Sequence, residues 1–151
     1  MKKEKFDLTQ FTAGLVNEMQ SALTQTLVFE YSKEFFILAD RKAMNGILVL
    51  LLENAGRNSP KDSTIWLDIK QEGDCVDLTV TDEGADIPDA EKEKIFDSLI
   101  PEDVSQANEK PVKGFGLGIA KREAEKNGAW LFISDHLPHG AVFHLVFLLE
   151  R

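Results

Sequence analysis

The stretch from Met44 to Pro60, MNGILVLLLENAGRNSP, limits what this chain can become more than any other. Apolar residues at 44, 47, 48, 51, 52 and 55 recur three and four apart, the spacing of a helix with one buried face. Such a face must be covered, so the rest of the chain has to fold around it. Asp40 stands where a carboxylate accepts the unpaired amide hydrogens of a first helical turn. Pro60 forbids continuation, because proline lacks the amide hydrogen and its ring clashes with the preceding turn. Near that end the sequence turns polar within two residues, giving Glu53, Asn54, Arg57, Asn58 and Ser59. Asn54, Arg57 and Asn58 lie three and four apart and are expected on one side of the last turns.

The flanking segments supply candidate covers. Phe6 to Gln25, with apolar residues at 8, 11, 15, 16, 19 and 23, predicts an amphipathic helix. Leu27 to Tyr31 and Glu34 to Ala39 are short β-rich runs parted by Ser32 and Lys33, which predicts a hairpin or two edge strands. Thr64 to Gln71 and Cys75 to Thr81 alternate strictly, with Ile65, Leu67, Ile69 and Val76, Leu78, Val80 on single faces, and Gly73-Asp74 turns between them. Ala90 to Phe96 predicts a short helix. Ser98 to Lys113, with two prolines and no period, predicts a long loop. Gly116 to Asn127 predicts a helix closed by Gly128, and Trp130 to Ser134 and Ala141 to Leu149 the last strands. This order predicts an α/β fold, a two-layer sandwich whose mixed sheet is covered by helices on one face.

Composition removes several function classes. A length of 151 residues fits one domain. No apolar run approaches the ~18–20 residues of a membrane span, so no direct membrane contact is expected. MKKEKFDLT has lysines without an apolar region behind them and is not a secretory signal. The single Cys75 permits no internal disulfide, and without clustered histidines it supports no structural zinc. These features fit a reducing, cytoplasmic setting. A net charge of -9 argues against nucleic acid as a partner; an anionic ligand would need cations placed locally.

Four short motifs carry candidate chemistry. The amide oxygen of Asn54 can bind a hard cation such as Mg²⁺; from the helix alone, a capping or solvated role is an equal reading. Thr81 to Pro88 follows a strand, where Asp82 can accept from an exocyclic amine and Gly84 lets a flat base approach the backbone. Taken alone, DEGADIP is more often a polar turn. Gly114-Phe115-Gly116-Leu117-Gly118 precedes a helix, so its amides can hold phosphates. The dinucleotide-binding version needs a strand immediately before it, and a proline-containing loop stands there instead. Gly140 opens the last strand. His136, His139 and His144 read as surface or edge residues, Cys75 as packing, and no Ser/His/Asp arrangement is legible.

In this order and spacing, the motifs resemble the catalytic ATP-binding domain of sensor histidine kinases, in the GHKL ATPase superfamily. ENAGRNSP is similar to the N box, DEGADIP to the first glycine box, KIFDSL to the F box, GFGLGI to the second glycine box and GAVF to the final glycine motif. The similarity covers nearly the whole chain. It implies a GHKL, histidine-kinase-like fold with ATP and Mg²⁺ as cofactors. Asn54 would hold Mg²⁺ and Arg57 would meet phosphate, while Asn58 belongs to the same nucleotide-facing box with no assigned role. Asp82 would accept from the adenine amino group, with Gly84 and Ile87 lining the base. Phe96 would anchor a nucleotide lid, Ser98 to Lys113, whose Lys110 and Lys113 face phosphate. Gly114, Gly116, Leu117 and Gly118 would form the lid's hinge and phosphate-side backbone.

The departures from that pattern are specific. Leu50 stands where the family often has a further asparagine, Asn58 where it has an aromatic or histidine, and Asp86 where the first glycine box has its last glycine. A carboxylate at 86 would repel phosphates unless it points away. The helix after GFGLG is slightly shortened. Hydrolytic relatives and stand-alone anti-sigma serine kinases resemble one another in placing a glutamate base at the position of Leu50, which cannot take a proton. No histidine precedes His136, so the phosphoacceptor is expected on a separate upstream dimerisation (histidine phosphotransfer) domain, with a response regulator as a further partner. The expected reaction is transfer of the ATP γ-phosphoryl group to that histidine, whether or not the parent is membrane-anchored. The alternatives are a degenerate GHKL module with a regulatory or protein-binding role, and an anti-sigma-factor serine kinase.

Overall fold

The computed structural model of the chain describes residues 1–97 and 116–150. In chain order its elements are β1 (Glu4–Asp7), α1 (Leu8–Gln20), β2 (Thr26–Tyr31), β3 (Phe36–Ala39), α2 (Arg41–Asn58), β4 (Thr64–Glu72), β5 (Cys75–Thr81), α3 (Leu117–Lys126), β6 (Trp130–Asp135) and β7 (Ala141–Leu148).

Asp40 opens α2 as its position predicts. Its Oδ1 accepts from the amides of Lys42 at 2.9 Å and Ala43 at 3.2 Å, satisfying donors that a first turn leaves unpaired. Its Oδ2 accepts from the amide of Lys2 at 2.9 Å, and its own amide donates to Asn127 Oδ1 at 2.8 Å, tying the start of α2 to the end of α3. The amide donors, Lys2 first and Ala43 next, hold the Asp40 carboxyl below its ordinary value of 3.8. Along α2, Met44, Ile47, Leu48, Leu51, Leu52 and Ala55 are at most 1% exposed, so the predicted apolar face is the buried one.

Five strands in the order β2-β4-β5-β7-β6 form a mixed sheet; β2 runs parallel to β4 and the other pairs are antiparallel. Because successive strand residues point to opposite faces, Ile65, Leu67, Ile69, Val76, Leu78, Val80, Phe143, Leu145 and Phe147 enter one core. Residues between them, among them Trp66, Asp77, Thr79 and His144, stay only half-buried on the other face. That is the expected two-layer α/β sandwich with helices on one side. Among the described residues no helix is long and apolar enough to cross a membrane.

Two local expectations give way, and of one pair of alternatives the second holds: segments 27–31 and 36–39 form edge strands and not a hairpin, with β2 at the edge of the large sheet and β3 paired antiparallel with β1 in a separate two-stranded sheet. Burial selects that pairing, since the opposed residues Phe6 and Ile37 are 4% and 0% exposed and the Arg41 guanidinium lies 4.8 Å above the Phe6 ring. The first helix therefore starts at Leu8, where Asp7 accepts from the Gln10 amide at 3.1 Å, and ends at Gln20. Finally, Ala90 to Phe96 is two 3-10 turns, Asp89–Glu91 and Lys94–Phe96. Between them Lys92 Nζ is drawn to the Ile87 carbonyl at 2.8 Å, and to Asp89 at 2.5 Å and Asp135 at 2.9 Å.

Candidate functional site

The polar end of α2, the loop after β5 and the first residue of β7 meet at one place. Asn54 is fully buried, and its Oδ1 accepts from Asn58 Nδ2 at 3.2 Å, so the two amides four residues apart stand on one side of the last turn. Beside them Asp82, 2% exposed, accepts through Oδ1 from the amides of Gly84 at 2.9 Å and Ala141 at 3.3 Å. Two glycines allow this approach. A β-carbon on Gly84 would lie 2.1 Å from the Asn58 carbonyl oxygen, and one on Gly140 would lie 2.1 Å from the Asp82 carbonyl oxygen. Gly140 also has φ +117, a conformation open chiefly to glycine. Asp82 is thereby gripped between the end of α2 and the start of β7.

Other predicted residues belong to the core or line a cavity that Asn54 and Asp82 do not line. Ile87, Phe96 and Leu117 are 4%, 8% and 0% exposed. Phe96 meets Phe143 edge-on, with ring centroids 6.5 Å apart, and carries Lys121 Nζ 4.8 Å from its own centroid. Phe96 and Gly118 both line a cavity of about 580 Å³ with Lys121, Arg122 and Phe132. Gly116 begins α3 with φ +79, and a β-carbon there would meet Leu50 Cδ2 at 2.6 Å. Leu50 thus packs directly under the second glycine motif.

Arg57 is exposed and lines a different cavity, of about 400 Å³, with Leu23, Gln25, Glu53 and Gly56. Asn54 and Asn58 do not line it. Asp86 Oδ1 accepts from the Gly140 amide at 2.9 Å, so this carboxylate is directed to the turn before β7. Lys110, Lys113 and Gly114, with the predicted lid from Ser98 to Lys113, lie outside the described residues.

Two arrangements escaped the sequence reading. Gln25, 3% exposed, donates from Nε2 to the carbonyls of Gly56 at 3.0 Å, Ser59 at 3.1 Å and Pro60 at 3.3 Å. It ties the Gly56 carbonyl in the last turn of α2 to the Ser59 and Pro60 carbonyls that follow the helix, the last of which Ser63 also holds. A polar residue just before a β-rich run gave no signal of this, because its partners are more than thirty residues away. A Ser/His/Asp arrangement that was not legible in the sequence is formed by the fold. Ser134 Oγ lies 2.7 Å from His144 Nε2, and His144 Nδ1 lies 3.0 Å from Asp77 Oδ2. His144 is therefore not a bystander; its partners sit on neighbouring strands whose register a sequence does not display. His136 rests against Trp66, with ring centroids 5.7 Å apart, and exposed His139 lies 3.4 Å from the Gly84 carbonyl.

The donor set bears on which groups fit here. No cluster of three or more His, Cys, Asp or Glu side chains among the described residues could hold a metal ion. What the α2 end offers is the hard amide oxygen of Asn54, which suits Mg²⁺ held mainly by a ligand's own oxygens and by water. The glycine-led start of α3 suits an anionic ligand, whereas the space beside Gly84 is taken by the Asn58 carbonyl.

Residues 39–151 match the family described as Histidine kinase-, DNA gyrase B-, and HSP90-like ATPase. The sensor protein PfeS of Pseudomonas aeruginosa is 38% identical over 97 residues, which are 63% of this chain and 20% of PfeS; the chain spans only a fifth of that relative. The mycobacterial sensor histidine kinase MprB has the same fold, with a TM-score of 0.82 at 20% identity over 99% of both chains. So does histidine kinase ThkA, solved in complex with the response regulator TrrA, with a TM-score of 0.79 at 21% identity over 98% of this chain and 42% of that one.

Proposed function

We propose that this chain, which belongs to the histidine kinase-, DNA gyrase B- and HSP90-like ATPase family, is the ATP-binding catalytic domain of a two-component sensor histidine kinase. The observation that carries the reading is the grip on Asp82. Its Oδ1 is fixed by two backbone amides beside the Asn54–Asn58 pair. A buried carboxylate oriented this way recognises adenine by accepting from its exocyclic amine, with Gly84 and Ile87 lining the base. Asn54 offers its amide oxygen to Mg²⁺, which when bound neutralises charge on the phosphates. Gly116, Leu117 and Gly118 open α3, whose first amides and positive dipole end favour phosphate. The family resemblance would add Lys110, Lys113 and Gly114 on the phosphate side and Phe96 as the lid's anchor, whereas Arg57 lines the separate cavity beside Gln25.

The chemistry that follows is in-line transfer of the γ-phosphoryl group to an imidazole nitrogen of a histidine on a separate dimerisation domain. A response regulator would receive it next, as the pairing of ThkA with TrrA suggests by analogy. The domain would act in the cytoplasm. Leu50 supplies no base for a water molecule, which favours transfer over hydrolysis. Asp86 Oδ1 accepts from the Gly140 amide, which supports a reading in which this carboxylate is engaged at the turn before β7. Mixing the chain with the dimerisation domain of its parent protein and γ-labelled ATP tests the reading. Acid-labile, alkali-stable label on that domain is expected, and label confined to serine or absent altogether would overturn it.

A further inference from the structure

On the sheet face turned away from the helices, three adjacent strands bring Asp77, His144 and Ser134 into one line. Thr79 pairs with His144 and His144 with Phe132, while Asp77 pairs with Val146 and Val142 with Ser134. All of these residues therefore project to the same side. Because a carboxylate only accepts, His144 Nδ1 carries the hydrogen in the 3.0 Å contact with Asp77 Oδ2. In the neutral ring Nε2 is then left as the acceptor for the Ser134 hydroxyl at 2.7 Å. Asp77 and His144 side chains are 19% and 18% exposed. Asp77 Oδ1 is buried without a hydrogen-bond partner among the described residues. Phe132 stacks on the imidazole at 4.6 Å and 6°, fixing its plane.

Two features of the surroundings bear on Ser134. First, β6 is the outermost strand. His136 donates its amide to the Gly140 carbonyl at 3.2 Å, so antiparallel alternation turns the Ser134 amide toward β7 and the Asp135 amide toward the open edge. The Asp135 amide thus lies in the sheet plane at the open edge, next in sequence to Ser134. Second, Val142 stands directly across from Ser134 on the same face, with Thr81 and Trp66 continuing the row over the next two strands.

We propose that Ser134 is an acylation site that takes an acyl group from an activated carboxylic ester. Ser134 Oγ attacks the ester carbonyl carbon while His144 Nε2 accepts the hydroxyl proton. The carbonyl-to-leaving-oxygen bond then breaks, and the proton passes from His144 to the departing oxygen. An acyl-serine and a free alcohol or phenol result. Ser134 is the nucleophile, His144 the base, and Asp77 a positioning residue that acts through His144. None of this depends on the nucleotide reading.

Incubation of the chain with p-nitrophenyl acetate, followed by peptide mapping, tests the proposal. One acetyl group on Ser134 is expected, absent in Ser134→Ala, and formed about a hundredfold more slowly in His144→Gln. Asp77→Asn should slow the reaction and Asp77→Glu recover part of the rate, with thermal unfolding confirming that each variant is folded. Acetyl groups found on lysines, His144 or Cys75 but not on Ser134 would overturn the proposal. So would an unchanged Ser134 rate in His144→Gln or, should that variant not fold, in Asp77→Asn.

Discussion

Gly84 approaches Asn58 so closely that a β-carbon added to it would stand 2.1 Å from the Asn58 carbonyl oxygen. The loop carrying Asp82 is thus seated directly on the end of α2, where Asn54 and Asn58 pair. Gly84→Ala forces backbone against backbone, a clash that no rotamer relieves. It should cost about 1–3 kcal/mol of stability and weaken nucleotide binding as well. Urea unfolding and a nucleotide titration on the same variant measure both, and an unchanged unfolding midpoint would refute the contact.

Gln25 holds three carbonyls at the end of α2. Replacing it by leucine, similar in size but without donors, removes this partner from the half-buried Gly56 and Ser59 carbonyls, while Ser63 still serves Pro60. The expected loss is about 2–3 kcal/mol, seen as a lower urea midpoint at unchanged slope. A loss below about 0.5 kcal/mol would mean that water or local rearrangement replaces the Gln25 amide.

Asp40 gives a pH-dependent signature. Its carboxyl lies below 3.8 in the folded chain because the amides of Lys2 and Ala43 stabilise the charged form. The folded state therefore binds the proton more weakly than the unfolded one, and stability rises with pH through that range. The contribution is fully present above the ordinary value of 3.8 and is lost as pH falls through the lower, folded value. Asp40→Asn keeps a neutral cap, so wild type should exceed it in stability at neutral pH and converge with it in acid. Parallel unfolding curves at all pH values would contradict this.

Leu50 packs under Gly116 and carries no proton acceptor. The chain with Mg²⁺ and ATP should release no phosphate above the buffer rate in a continuous phosphate assay. Multiple turnovers of hydrolysis would show that another residue activates water.

Legibility in the sequence followed the range of the interaction. The β4–β5 hairpin and the buried face of α2 were readable because alternation, three-and-four spacing and the Asp40 cap are local. Pairing of β1 with β3 was not, since Phe6 and Ile37 meet only after the chain has folded. Asn54, Asp82 and Gly84 could be picked out as an ordered set of motifs, yet their contact through the Asn58 carbonyl could not. Gln25 and the Ser134–His144–Asp77 line stayed hidden for the same reason: each depends on a register or a packing that joins distant segments.

The central claim is that Asp82 and Asn54 form the recognition end of an ATP site. Titration calorimetry of the chain with ATP and Mg²⁺ tests it most directly. Saturable one-to-one binding by wild type is predicted, with Asp82→Asn combined with Asn54→Ala weakening it by at least about tenfold, roughly 1.4 kcal/mol, in a protein that still unfolds cooperatively. No binding by wild type, or equal affinity in the folded double variant, would contradict the account.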